Sequence, residues 1–195
     1  MALAACSPET PGTASPVSTP RTAETSALDD QVPGPGVPKV ERPLDVAKFA
    51  SAPCSALTDS QVSEVFGQVI AAKPDPRAPA GPTCSWDPAD GSGASVNLIF
   101  STAGDNLGLT GVYRARETSY KLFEPLPPIS GYPAVIYGTS DFRAKGNCSL
   151  AVGTSDRSTV DLTITQSHTK VGNADPCQAA QAVAAKVISS LKGGN

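Results

Sequence analysis

Histidine and tryptophan each occur once in this 195-residue chain, at His168 and Trp86. A single histidine and the absence of any Cys-x-x-Cys pair remove the usual zinc ligand sets, so no metal is expected. They also leave a hydrolytic triad only one residue that could act as its base. No G-x-S-x-G elbow is present, and Gly34-Pro35-Gly36 lies in a proline-rich tract where it could not cradle a phosphate. No cofactor is therefore expected. Aromatic residues make up 5% of the chain and charged residues 17%, with a net charge of −3. That balance lacks the basic footprint of a nucleic-acid binder. No apolar run approaches the roughly 18 residues that a membrane-spanning helix needs.

Five cysteines are present, and the first stands apart. Leu3-Ala4-Ala5-Cys6 looks like the lipobox of bacterial lipoproteins, in which Cys6 would be acylated and become the mature N-terminus. Residues 1–6 then read as the end of a truncated signal peptide. A diacylglyceryl cysteine supplies the two chains that a stable anchor requires. Residues 7–43 contain eight prolines, nine serines or threonines and no aromatic residue. Such a tract buries too little apolar surface to offset its ordering entropy, so a disordered tether is expected there. The globular domain is expected to span 44–195, an exported, membrane-tethered unit with one core.

The remaining cysteines, Cys54, Cys84, Cys148 and Cys177, form an even set, which in an exported protein implies two disulfides. Three connectivities are open. The expected one is Cys54–Cys84 and Cys148–Cys177, because each closes a loop of about 30 residues between neighbouring elements, contributing roughly 3–4 kcal/mol.

Periodicity predicts an α+β domain with an antiparallel sheet of about five strands against N- and C-terminal helices. Thr58 and Gln61 form a capping box in front of the helical face Val62, Val65 and Phe66, with Gly67 at its end and Val69 extending the stripe if the helix continues. Lys73 to Pro82 reads as a loop, and Thr83–Asp87 and Ala94–Ser101 as strands. Residues 105–122 read as a helix capped by Asp105. Pro125–Pro128 reads as a break before a third strand, Tyr132–Gly138. Strands at Cys148–Thr154 and Thr159–Gln166 flank a turn, and Val160, Leu162 and Ile164 alternate with Asp161, Thr163 and Thr165 in the manner of a sheet wet on one face. The last helix has Asp175 as N-cap, Pro176 at N1 and an apolar stripe of Ala180, Val183, Ala184, Val187, Ile188 and Leu191.

Candidate chemistry is sparse. Asp87 and Asp90 flank a turn and could contribute to a glycosidase-like pair or a calcium site, but this is an ordinary turn composition, and turn chemistry explains it without function. His168 reads as a solvated loop residue. Trp86 could stack on a ligand or pack on a disulfide. Tyr113, Arg114, Arg116 and Tyr120 could form a recognition face on the 105–122 helix for an acidic or carbohydrate ligand.

Several signatures carry a family resemblance: Pro53-Cys54 with Leu57-Thr58, Cys84-Ser85-Trp86, Gly131-Tyr132-Pro133-Ala134-Val135, Cys148, and Asp175-Pro176-Cys177. The chain resembles the actinobacterial lipoproteins grouped as domain of unknown function 3558. The resemblance implies an exported, lipid-anchored envelope protein without an assigned activity, and it lends no catalytic residue. The expectation is a monomeric, non-enzymatic module on the outer membrane face that binds an envelope ligand or protein partner. The alternatives are a carboxylate-dependent envelope hydrolase and an extracytoplasmic sensor or accessory subunit. Growth with an alkynyl fatty acid should label the full-length protein, and Cys6→Ala should abolish the label.

Overall fold

The structure is a computed structural model that describes residues 1, 31–101 and 106–193. Cys6, most of the tether and the Asp105 cap lie outside the described residues. Seven strands form one antiparallel sheet: β1 Ala72–Asp75, β2 Thr83–Trp86, β3 Ser95–Ser101, β4 Leu122–Ile129, β5 Tyr132–Gly138, β6 Asn147–Ser155 and β7 Ser158–Thr165. Their order across the sheet is β1-β2-β3-β7-β6-β5-β4. Among the described residues four α-helices accompany them: α1 Ala47–Ser51, α2 Asp59–Phe66, α3 Leu109–Ala115 and α4 Pro176–Leu191.

The α+β class with an antiparallel sheet is as expected, but the strand count is seven rather than about five. The two additional strands are the sheet's edges, and both contain proline. Pro74 lies in β1, and Pro125, Pro127 and Pro128 lie in β4. Proline cannot donate to a ladder, so it reads as a break in sequence; an edge strand has one side without a partner, where that loss costs little. β4 turns into β5 through Ser130 and Gly131, both with positive φ, as a two-residue hairpin of the primed type requires.

Alternation along the central strands sorts the sheet into two faces. Val96, Leu98 and Phe100 of β3 and Val160, Leu162 and Ile164 of β7 are buried on one of them. They pair across the ladder, as in Leu98↔Leu162 and Leu150↔Leu162. Against this face lies α4, whose Ala180, Val183, Ala184, Val187, Ile188 and Leu191 are all buried. The Asp175 carboxylate accepts from Cys177 N at 2.8 Å and caps the helix. Thr58 and Gln61 form the capping box of α2, and Gly67 at φ 78° ends that helix, so Val69 does not extend the stripe and is exposed. Phe49 of α1 is buried and stacks on Phe100 at 6.1 Å.

Two disulfides hold the helical layer to the sheet. Cys54, in a 3-10 turn at Pro53–Ala56, is bonded to Cys84 of β2, and Cys177 at the start of α4 is bonded to Cys148 of β6.

The second face is covered in part by α3 and by residues 32–43, which were expected to belong to the tether. This stretch is instead a strap fixed at intervals along the domain. Gly34 N donates to the buried Thr110 Oγ1 at 3.0 Å, Val40 N to Asp156 Oδ1 at 2.8 Å, and Leu44 N to Thr154 O at 2.8 Å. Val40 is 4% exposed. Its side chain and that of Leu109 rest on Gly153 of β6, where a Cβ would approach Leu109 Cδ1 to 3.0 Å and Val40 Cγ2 to 3.1 Å. A proline-rich segment needs few ladder partners, and three hydrogen bonds with one buried valine suffice to dock it. The domain therefore begins near residue 32, not 44.

Limited proteolysis followed by mass spectrometry should leave a resistant core that starts near residue 32, and Val40→Asp should move that start toward residue 44. Phe49→Ala should lower stability by about 3–5 kcal/mol in urea titration, because it empties a site packed between helix and sheet.

Candidate functional site

A cleft of about 820 Å³ opens between the C-terminal end of α2, the turn joining β2 to β3, and the N-terminal half of α4. Its apolar wall is built from Phe66, Val96, Ile164, Ala179 and Val183, and its rim from polar residues including Asp90, Lys170 and Gln178. Every wall is positioned by a feature already described. Gly67 stops α2 and leaves Phe66 at the opening, the Cys148–Cys177 disulfide fixes the start of α4, and the alternation of β3 and β7 turns Val96 and Ile164 inward. Gln166, also in the wall, is buried, and its side-chain oxygen has no hydrogen-bond partner among the described residues.

The rim is tied together by hydrogen bonds. Asp90 accepts from Ser92 N at 2.9 Å and from Gln68 Nε2 at 3.2 Å, joining the β2–β3 turn to the residues after α2. The bonds from Ser92 hold its carboxyl below the ordinary aspartate range. A general acid requires the opposite shift, so this residue is poorly suited to that role. Asp87 is not part of the cleft: it is exposed and pairs with Lys73 of β1 at 3.3 Å. His168 N donates to Ser92 O at 2.9 Å, and the imidazole lies against Gly93, where a Cβ would come within 2.7 Å of Nε2. That contact, together with φ 73°, requires glycine there. The structure thus packs His168, from the loop after β7, against the turn that carries Asp90, while Asp87 is engaged with Lys73 outside the cleft.

The expected ligand-face residues separate as well. Trp86 is 1% exposed and belongs to the core, where it offers no ring to a ligand. The helix expected over 105–122 is confined to Leu109–Ala115, because Gly108 and the turn after Ala115 break it, and β4 already begins at Leu122. Tyr113 packs edge-on to Phe123 at 5.0 Å, while Arg116 lies beyond the helix and pairs with Glu117 at 3.0 Å. Tyr120 is directed elsewhere, against Tyr137 at 5.0 Å.

One cluster escaped the sequence reading. Asp161, mid-strand in β7, accepts from Thr159 Oγ1 at 3.0 Å, from Tyr137 OH at 3.2 Å and from Ser101 Oγ. It lies at the base of a pocket of about 260 Å³ under α3, which Tyr120 and Arg157 also line. Burial pushes its carboxyl above the ordinary range, against the three hydroxyls that favour the ionised form. Burial, and next the Asp161 charge, raise Tyr137 and Tyr120 too. The signal for this cluster was an aspartate inside a strand, a position where that residue is depleted.

A carboxyl with a raised native pKa keeps its proton in the folded protein at pH values where the unfolded chain has released it. Stability contributed by this group therefore falls as pH rises from about 3.9 toward the native value. Asp161→Asn should remove that fall: the urea midpoint of the variant relative to wild type should increase as pH is raised from about 4 and level off once the native carboxyl has ionised.

No curated protein and no solved structure matches the chain. A family model described as a protein of unknown function (DUF3558) matches residues 1–190, and the chain belongs to that family.

Proposed function

We propose that this protein is an exported lipoprotein of the cell envelope, held at the membrane by acylated Cys6, and that its cleft binds a ligand with an apolar body and a polar head. The observation that carries the reading is the cleft itself. Its volume of about 820 Å³ lies in the range of small-molecule sites. An apolar wall with few polar groups at the rim is the usual composition of such sites, in which apolar burial supplies affinity and the rim supplies orientation. The two disulfides support the extracytoplasmic location, since such bonds persist in oxidising compartments. The lowered Asp90 carboxyl supports binding over acid catalysis at this rim.

The test is photocrosslinking in membranes, with a crosslinking residue at Lys170 on the cleft rim and, as control, at Ser189 on the exposed side of α4. An adduct of small mass, formed only from position 170 and blocked when Ala179→Trp fills the cleft, is the expected result. A single protein adduct would replace this reading with that of an accessory subunit. Turnover of a cell-wall glycan or peptide by the purified protein, lost in Asp90→Asn or His168→Ala, would replace it with that of a hydrolase.

A further inference from the structure

The pocket at Asp161 lies on the opposite face of the sheet from the cleft and is built from different elements. Its base comes from β3, β5 and β7, through Ser101, Tyr137, Thr159 and Asp161, and Asn106, Leu107 and Gly108 with Gly111 and Val112 of α3 line its other side. When Asp161 is ionised, the hydroxyls of Ser101, Thr159 and Tyr137 all donate to its carboxylate. Toward the cavity those three side chains can therefore offer only oxygen lone pairs. Asp161 Oδ2 receives two of the hydroxyls and Oδ1 only one, so Oδ1 retains acceptor capacity. A base composed of acceptors selects a ligand rich in donors.

Charge narrows the choice further. Asp161 is half-buried, and no lysine, arginine or histidine pairs with it among the described residues, so its ionised form has no countercharge of its own. Arg157 lines the same pocket without forming an ion pair with Asp161. Tyr120 and Tyr137, with centroids 5.0 Å apart, place two aromatic rings beside the carboxylate, a setting in which an ammonium group gains from the ring faces. A sugar would supply donors but no countercharge. A polyamine would bring additional positive charge toward Arg157. The volume of about 260 Å³ admits only a compact molecule.

We propose that this pocket is a second binding site, which takes a small primary monoamine and seats its ammonium on Asp161 beside the contacting rings of Tyr120 and Tyr137. The base supplies the acceptors, the carboxylate the countercharge, and the rings a cation-compatible wall. Because burial holds the Asp161 carboxyl toward its protonated form, seating a cation beside it expels the proton. Binding is then accompanied by proton release and strengthens as pH rises.

The experiment uses the full chain with ethanolamine as probe and methyl α-glucoside as comparator. Two-dimensional amide NMR reports the site, and calorimetry in two buffers of different ionisation enthalpy reports the proton. Ethanolamine should shift the amides of Ser101, Tyr137, Thr159 and Asp161 saturably, with a proton released to the buffer. Asp161→Asn should weaken binding about tenfold or more, as loss of a charged hydrogen-bond partner does. Tyr120→Leu, at a half-exposed position, provides the same reading should the aspartate variant not fold. Ala179→Trp in the cleft should leave ethanolamine binding unchanged, which separates this site from the proposed function. Absence of saturable shifts with ethanolamine, undiminished binding in both pocket variants, or saturable binding of the glucoside alone would overturn the proposal.

Discussion

Burial of the α4 stripe against the alternating face of β3, β7 and β6 is the contact on which the rest of the molecule depends. Each large apolar side chain in that interface contributes roughly 1.5–3 kcal/mol of transfer free energy, and together they outweigh any single polar contact in the domain. Disulfides and caps act by making this contact unique. Cys148–Cys177 sets where α4 starts, and the Asp175 cap sets the direction in which it leaves. The Lys186–Glu64 ion pair and the Ser190–Gln61 hydrogen bond then align α2 beside it. With the helices so placed, the cleft lies between the end of α2, the β2–β3 turn and the first half of α4.

The parts of the fold that were legible in sequence are those with a local code. The capping box Thr58–Gln61, the start Asp175-Pro176, the stripe of α4 and the alternation of Val160, Leu162 and Ile164 each name their element within a few residues. The parts that were not legible depend on distant partners. Nothing local in Lys73-Pro74 or Pro125-Leu126-Pro127 signals a strand, because those runs become strands only by accepting one neighbour at the edge of an existing sheet. The strap over 32–43 is of the same kind: its partners lie far along the chain, Thr110 76 positions from Gly34 and Asp156 116 positions from Val40.

The candidate sites follow the same division. Sequence reading singled out residues that stand out by type, such as Trp86 and the Asp87–Asp90 turn; the structure places the tryptophan in the core, one of the two readings open to it, and gives the two aspartates different partners. The cleft is lined mostly by side chains that are ordinary in themselves, and only their convergence makes a concave wall. Asp161 was visible as one polar residue in an alternating strand, but nothing in sequence distinguishes a wet position from one roofed by α3. Both faces of the sheet consequently carry a cavity, each formed where a helix stops short of covering the strands beneath it.

The strap also determines where force enters the domain. A pull applied to residue 31 loads first the bond from Gly34 to Thr110 on α3, then that from Val40 to Asp156 in the β6–β7 turn, and then that from Leu44 to Thr154. These bonds are arranged in sequence, so they yield one after another, in the manner of a zip, before any load reaches α1 or the disulfide at Cys54. Release of these three bonds would free about a dozen residues while the cross-linked body stays folded.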